Sequence, residues 1–356
     1  MKAGILSGIL FAVALNLWLF GGIVHAAPVA TQTLTLHPGW NSVFLEVQPE
    51  EKSPGAVFSA LPDESSVWTW HQRHSKIEYI QNPNEGLWNQ PGWLAYYKSN
   101  TKVFLSSLYA ILAHRPYLIF IAGTSDVIIQ VTGVPSLKKI QWDADGFNLT
   151  GFSVAPVGST QITFEQYFSV SPAHAGKAVY SLNSAGQWKL ITSPATAYIQ
   201  PGKAYWVYCE GASTYQGQLD ITLSVNTGID FGKGVVQQKV TIRNHAAVTK
   251  EVSFLHLSPD VALTYKYYDE AAEKFLYPPI ADMPALSLAA GEKKTVTLCV
   301  RREDVPDGEA ASILVIQDNA GNTIQVPVWV DRVITATARA GTAGVALASS
   351  PPTGMT

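Results

Sequence analysis

Gly39-Trp40-Asn41-Ser42-Val43-Phe44-Leu45-Glu46-Val47-Gln48-Pro49 returns, altered, as Gly146-Phe147-Asn148-Leu149-Thr150-Gly151-Phe152-Ser153-Val154-Ala155-Pro156. Each block follows a turn, His37-Pro38-Gly39 in one and Asp143-Ala144-Asp145-Gly146 in the other. In the first copy Val43, Leu45 and Val47 fall on one side of a chain with period two, as a half-buried strand requires. Downstream the copies stay parallel. A short amphipathic helix is predicted after each block, with Ser53-Pro54 supplying an N-cap and first-turn proline in one. Thr163 and Gln166 are spaced for a capping box in the other. Neither helix exceeds about two turns, so both need packing to persist. Hairpins follow, Val67–Trp70 with Ile77–Ile80 and Val179–Leu182 with Trp188–Ile191. Both copies close on an aromatic strand, Tyr117–Gly123 and Tyr205–Gly211. The pair reads as one module written twice, a shape reused rather than a reaction centre.

Spacing locates where the copies differ. Val67 aligns with Val179 at an offset of 112, and Tyr117 with Tyr205 at an offset of 88, so the first copy carries 24 extra residues, placed near 82–107. Beyond Gly217 the pattern changes to longer, evenly spaced strand candidates: 219–226, 235–243, 248–257, 263–268, 294–301, 310–316 and 323–330. Asp318-Asn-Ala-Gly-Asn322 forms a hairpin turn between the last two, and seven such strands suit an immunoglobulin-like sandwich. The predicted fold is mainly β: two related small α+β, β-rich modules plus an immunoglobulin-like β-sandwich. The expected divisions are 1–26 leader, 27–136 first module, 137–217 second module, 218–333 sandwich and 334–356 disordered tail. The tail is small, nearly uncharged and without hydrophobic period, so burial there does not offset chain ordering.

Residues 35–211 resemble the "GWN…GYW" modules of bacterial secreted and surface proteins. Gly228-Ile-Asp-Phe-Gly232 ahead of Val240-Thr-Ile-Arg-Asn244 resembles the opening of bacterial Ig-like domains. The resemblance implies architecture and an envelope setting; its motifs are structural and name no reaction.

The start of the chain points the same way. Lys2, an uncharged apolar run from Ala3 to Val24 and the small-residue site Val24-His25-Ala26 form a secretory leader, with cleavage expected after Ala26. An uncleaved anchor is the alternative, since the run is long enough to cross a bilayer. After cleavage no membrane span is expected, and the location is extracellular or periplasmic. Lys+Arg 24 against Asp+Glu 27 gives −3, and loss of Lys2 leaves 23 against 27, or −4. The cations are scattered, which argues against nucleic acid as a partner. Cys209 and Cys299 lie in different predicted domains. A disulfide between them would require one particular docking, and two partly covered thiols are the alternative.

The sequence carries no Gly-x-Ser-x-Gly, P-loop, His-Glu-x-x-His or Cys-x-x-Cys signature. No catalytic residue, metal ligand or cofactor is assigned. His71 and His74 read as a solvated turn without a third ligand. Asp143, Asp145 and Asn148 resemble the start of a calcium loop but lack the later Glu, so a self-bonded turn is expected. Aromatic residues carry the remaining signal. The inserted stretch holds Trp88, Trp93, Tyr96 and Tyr97 among Asn, Gln, Gly and Pro, and rings on a loop stack on sugars or anchor proteins. Trp68 and Trp70, two apart, are expected on one face and largely in core. The expected function is non-enzymatic adhesion, binding or envelope structure, contacting an extracellular glycan or surface protein through Trp88, Trp93, Tyr96 and Tyr97. The alternatives are a secreted polysaccharide hydrolase, which needs paired acids, and an assembly component using a sheet edge of the sandwich.

Overall fold

The structure is a computed structural model that describes residues 27–71, 92–99, 101–183, 185–257, 261–306 and 308–332. The leader, the tail, Trp88, His74 and the expected return strand Ile77–Ile80 lie outside the described residues.

Alternation of apolar and polar residues builds the first copy from β1 (Ala30–Leu36), β2 (Gly39–Leu45), β3 (Val47–Pro49), α1 (Pro54–Val57), β4 (Ser65–His71), β5 (Gly92–Lys98), β6 (Arg115–Ile121) and β7 (Val127–Pro135). An antiparallel sheet runs β2-β6-β4-β5, and a second runs β1-β7-β3. Leu34, Leu36, Ile129 and Val131 from the smaller sheet share one core with Val43, Val67, Tyr117 and Ile119 from the larger, with Phe58 and Leu61 closing it. The partner of β4 is β5, paired from Ser65 opposite Lys98 to His71 opposite Gly92. Trp93, Tyr96 and Tyr97 therefore stand on a strand, not on the loop that the spacing predicted. The expectation failed because the hairpin connection here is long, residues 72–91, where the second copy uses only 183–187.

That second copy contains β8 (Gly146–Gly151), α2 (Phe164–Phe168), β9 (Val179–Leu182), β10 (Trp188–Leu190) and β11 (Ala204–Cys209). Its sheet runs β8-β11-β9-β10, the order of the first copy once β8 is matched to β2, β11 to β6, β9 to β4 and β10 to β5. Small details repeat as well. Asn41 Oδ1 accepts from His37 N at 2.9 Å while its Nδ2 donates to His37 O at 2.7 Å. Asn148 does the same with Asp143, at 2.7 and 3.1 Å. The Gly-aromatic-Asn opening is thus a turn lock, in which the amide closes the loop entering the strand. Tyr117 Oη accepts from Leu112 N at 2.8 Å, and Tyr205 Oη from Gln200 N at 3.0 Å. Burial pushes both phenols up to about 12. The helices separate in their caps. Thr163 and Gln166 form the reciprocal box, whereas the Ser53 side chain makes no cap bond and only its carbonyl receives Ala56 N and Val57 N.

The sandwich pairs β12 (Leu219–Leu223), β14 (Gln237–Asn244), β19 (Lys293–Val300), β16 (Leu263–Asp269) and β17 (Lys274–Leu276) in one sheet, in that order. The other runs β13 (Ile229–Asp230), β21 (Thr323–Arg332), β20 (Gly308–Asp318), β15 (Lys250–Leu257) and β18 (Leu286–Leu288). All seven expected strands are present, joined by the short β13, β17 and β18. Phe231, Val240, Leu298, Leu314 and Val328, contributed by both sheets or the loop between them, belong to one buried core. The chain is therefore mainly β, with an Ig-like sandwich behind the duplicated sheets.

The three units touch through main chain as well as side chains. Phe44 N donates to Gly202 O at 2.8 Å, joining the copies. Ala155 N donates to Gly321 O at 2.8 Å and Thr323 N to Ser153 O at 3.1 Å, so the segment leaving β8 pairs with the β20–β21 turn. A Cβ at Gly321 would lie 2.3 Å from Ala155 O, which explains glycine there. Cys209 and Cys299 are buried thiols in different sheets and are not bridged to each other. Among the described residues no helix is long and apolar enough to cross a membrane.

Candidate functional site

Because side chains alternate along a strand, β4 and β5 present Trp68, Trp70, Trp93 and Tyr97 on the outer face of their sheet. Tyr96 points the other way and packs against the module core with Leu94. Trp70 and Trp93 are cross-strand partners with ring centroids 5.4 Å apart, edge to face. The row continues into the second copy, Trp70 to Trp206 at 6.2 Å and Trp206 to Trp188 at 6.2 Å. A second row runs Tyr97 to Trp68 at 5.5 Å, Trp68 to Trp40 at 6.5 Å and Trp40 to Phe120 at 5.3 Å. Phe147, Tyr180 and Tyr208 repeat that last cluster on the other copy, with centroids 5.5 and 5.2 Å from Phe147. Trp40 and Trp93 are each 37% exposed, enough to offer a ring edge and part of a face.

Part of this aromatic surface is consumed by docking. Phe44, Leu149 and Ala204 form a small buried core between the copies, with Trp70, Trp188 and Trp206 packed on it. Trp68 and Trp70 share a face as period two demands, but it is the outer, half-buried face rather than the module core. Of the rings singled out from sequence, the structure thus brings Trp93 and Tyr97 to the outer face and withdraws Tyr96. Trp40 and Trp68 join the surface. The signal for Trp40 was present in the repeat itself, since an aromatic stands at that position in both copies.

A second feature is a cleft where the copies and the sandwich meet, about 310 Å³, lined by Phe44, Glu46, His114, Phe152, Leu219 and Ile324 among others. Equivalent residues face each other across it. Glu46 hydrogen-bonds with the Ser153 side chain, its counterpart in the second copy, and Phe44 fills the space a Cβ on its own counterpart, Gly151, would occupy. Glu46 keeps some accessible area only because it lines the cleft; protein surrounds it, and burial pushes its carboxyl up to about 7. His114, at a backbone φ of 52°, is held down to about 4 by burial. The other acid on the cleft wall, Asp220, is paired with Lys139 at 3.3 Å.

Two further polar clusters lie outside the cleft. Ser171 Oγ and His174 Nδ1 lie 2.7 Å apart, but both are buried under Trp142, Phe168 and Tyr215. Burial holds His174 down to about 4, a neutral ring inside an aromatic box. In the Asp143–Asn148 turn, Asn148 Oδ1 is taken by Asp143 N and Asp145 Oδ1 accepts from Gly211 N at 2.7 Å. No group of three or more metal-ligating side chains occurs among the described residues.

No family model matches the chain, and no curated protein matches it. Among solved structures it is similar to the ASH/PapD-like domain 7 of human CEP192, at 10% identity over 33% of this chain and 85% of that one, TM-score 0.22. It is also similar to the CsuC–CsuE chaperone–tip adhesion subunit complex of Acinetobacter baumannii, at 15% identity, 29% and 52% coverage and TM-score 0.20. A third is the E. coli chaperone DraB, at 12% identity, 32% and 54% coverage and TM-score 0.21. The match spans about half the length of these last two chains. At such identities the similarity concerns the β fold alone.

Proposed function

We propose that the protein is an exported, non-enzymatic binding protein of the bacterial envelope, contacting glycans or surface proteins through the outer aromatic face of the first sheet. Its repeats, on this reading, belong with the "GWN…GYW" modules. The observation that supports the reading is the paired row Trp93–Trp70 beside Tyr97–Trp68, half-exposed on rigid strands. Sugar rings present flat apolar faces, and indole rings held in place by neighbours take them at low entropy cost. Trp68 Nε1 is already satisfied by Ser66 Oγ at 2.9 Å, so this ring offers its π face rather than a donor.

Two rival readings have less support. Strand acceptance needs a long open edge, yet the terminal strands β13, β17 and β18 have only two or three residues and β12 five, and β21, next to β13, is covered at one end by Ser153 and carries Pro327 mid-strand. A hydrolase needs two acids across a cleft, and here Glu46 faces Ser153 while Asp220 is held by Lys139. The test is a glycan array probed with the mature protein and with Trp93→Ala. Binding to a defined glycan class that falls at least about tenfold in the variant, with unchanged far-UV dichroism, supports the reading. Equal signals from both proteins, or none above background, would end it for glycans and leave protein partners on this face.

A further inference from the structure

Cations scattered along the chain are gathered by strand register on the outer face of the sandwich sheet β12-β14-β19-β16. Val240, Ile242, Val296 and Leu298 turn inward to the core, so Lys239, Thr241 and Arg243 of β14 and Lys293, Thr295 and Thr297 of β19 turn outward. Arg243 stands directly opposite Lys293, and Thr297 is flanked by Lys239 on one side and Lys266 of β16 on the other. Between these two rows lie Thr222, Thr241 and Thr295, with the Thr241 and Thr295 hydroxyls 2.9 Å apart. Lys239, Arg243 and Lys293 are exposed, and Lys266 is half-buried with its Nζ 4.2 Å from the centre of the Phe275 ring. Carboxylates do not balance them. Asp220, opposite Arg243, is the only acid in these rows and is taken by Lys139 at 3.3 Å, while the neighbouring Glu292 accepts from Ala289 N at 2.7 Å and lies 3.6 Å from Lys294 Nζ. Among the described residues none of the four cations is in an ion pair. Burial and then the charges of Arg243, Lys139 and Lys293 lower His245 just beyond β14, with Asp220 alone opposing them. Like charges directly opposite one another in a sheet are destabilising, and an anion from outside relieves them.

We propose that this face binds an acidic polysaccharide, a hydroxyl-bearing chain with sulfate or carboxylate groups repeated along it. Strand geometry puts Lys239 and Arg243 about 13–14 Å apart along β14, and Lys239 and Lys266 about 10 Å apart across two strand spacings. Cations so spaced meet charges repeated along a polymer rather than one small ion. The threonine hydroxyls between them donate to and accept from sugar hydroxyls. At the Lys266 end Tyr268 and Phe275, ring centroids 5.2 Å apart and both exposed, offer rings for a sugar face. A DNA or phospholipid surface supplies the charge with fewer hydroxyls. The surface lies on the sandwich and shares no residue with the aromatic face of the first sheet.

Calorimetric titration of the mature protein at physiological ionic strength, with dextran sulfate, polygalacturonate, uncharged dextran, duplex DNA and phosphatidylglycerol vesicles as probes, tests the assignment. Dextran sulfate or polygalacturonate is expected to bind at least about tenfold more tightly than dextran, DNA or the vesicles, and the one that binds tells sulfate from carboxylate. Arg243→Gln combined with Lys293→Gln should weaken that binding at least about tenfold and flatten its salt dependence. The melting temperature should not fall, because a like-charge pair is removed. Thr241→Val combined with Thr295→Val should weaken binding about threefold or more at an unchanged salt dependence. Lys189→Gln, an exposed cation on the second copy, and Trp93→Ala should leave the titration unchanged, which separates this surface from the aromatic face. Unchanged affinity in the Arg243 and Lys293 double variant, an equal loss in Lys189→Gln or Trp93→Ala, DNA or vesicles binding as tightly as the acidic polysaccharides, or no binding of any probe at millimolar concentration overturns it.

Discussion

Asp318 is wholly buried at the start of the β20–β21 turn, and both its oxygens are engaged. Oδ1 accepts from Ala320 N and Asn322 N, each at 2.9 Å, while Oδ2 takes Asn322 Nδ2 and stands 3.3 Å from the equally buried Lys250 Nζ. Removing the carboxylate leaves an ammonium in the interior, so Asp318→Ala is expected to lower unfolding free energy by about 3–5 kcal/mol in urea titrations. Titration of cleft and box residues sets a pH profile. With its carboxyl raised to about 7, Glu46 holds its proton more tightly in the folded state. It therefore favours folding below its ordinary 4.5, and that contribution is lost as pH rises through about 7. His114 and His174, lowered to about 4, act in the opposite sense. They favour folding above 6.5 and lose that contribution as pH falls towards 4. Glu46→Gln should accordingly raise stability on the alkaline side by about 3 kcal/mol at most, with the gain vanishing below pH 4.5, as thermal melts across pH would read.

Strand β8 can approach β2 only because Gly151 carries no side chain. A Cβ there would lie 2.3 Å from Phe44 Cβ and 2.8 Å from Lys203 O. Gly151→Ala should destabilise by about 1–3 kcal/mol, and its cost should shrink in a Phe44→Gly background, where both Phe44 atoms that the new Cβ meets are gone, a coupling that a double-mutant cycle in denaturant measures. Element identity was largely legible beforehand. The seven long sandwich strands, both short helices, the Thr163–Gln166 box and the closing strands all followed from period and turn chemistry. Ala30–Leu36 and Val127–Pro135 were missed, although Thr33-Leu34-Thr35-Leu36 alternates, because each borders the repeat rather than belonging to both copies. β5 was placed on a loop because a long connection separates it from β4, and propensity cannot say which of two aromatic stretches, Ile77–Ile80 or Gly92–Lys98, a strand will choose.

At the scale of the whole molecule, the copies dock as an isologous dimer does, equivalent residues meeting across an approximate two-fold: Phe44 with Gly151, Glu46 with Ser153. Each copy lends one member of a pair whose partner has diverged, large against small and acid against hydroxyl. The sandwich then attaches through the β20–β21 turn and closes the cleft from below. The aromatic count of the repeat region is divided by this arrangement, Trp70, Trp188 and Trp206 serving the docking while Trp40 and Trp93 remain half-open. What could be read along the chain was everything governed by near neighbours: strand period, turn amides, helix caps and the duplication itself, since those depend on residues a few positions apart. Which aromatic face stays open, why Gly151 is glycine and how Glu46 comes to face Ser153 beside one cleft were decided only in three dimensions, because they arise from the register of one copy against the other, and no local pattern encodes a contact between residues more than a hundred positions apart.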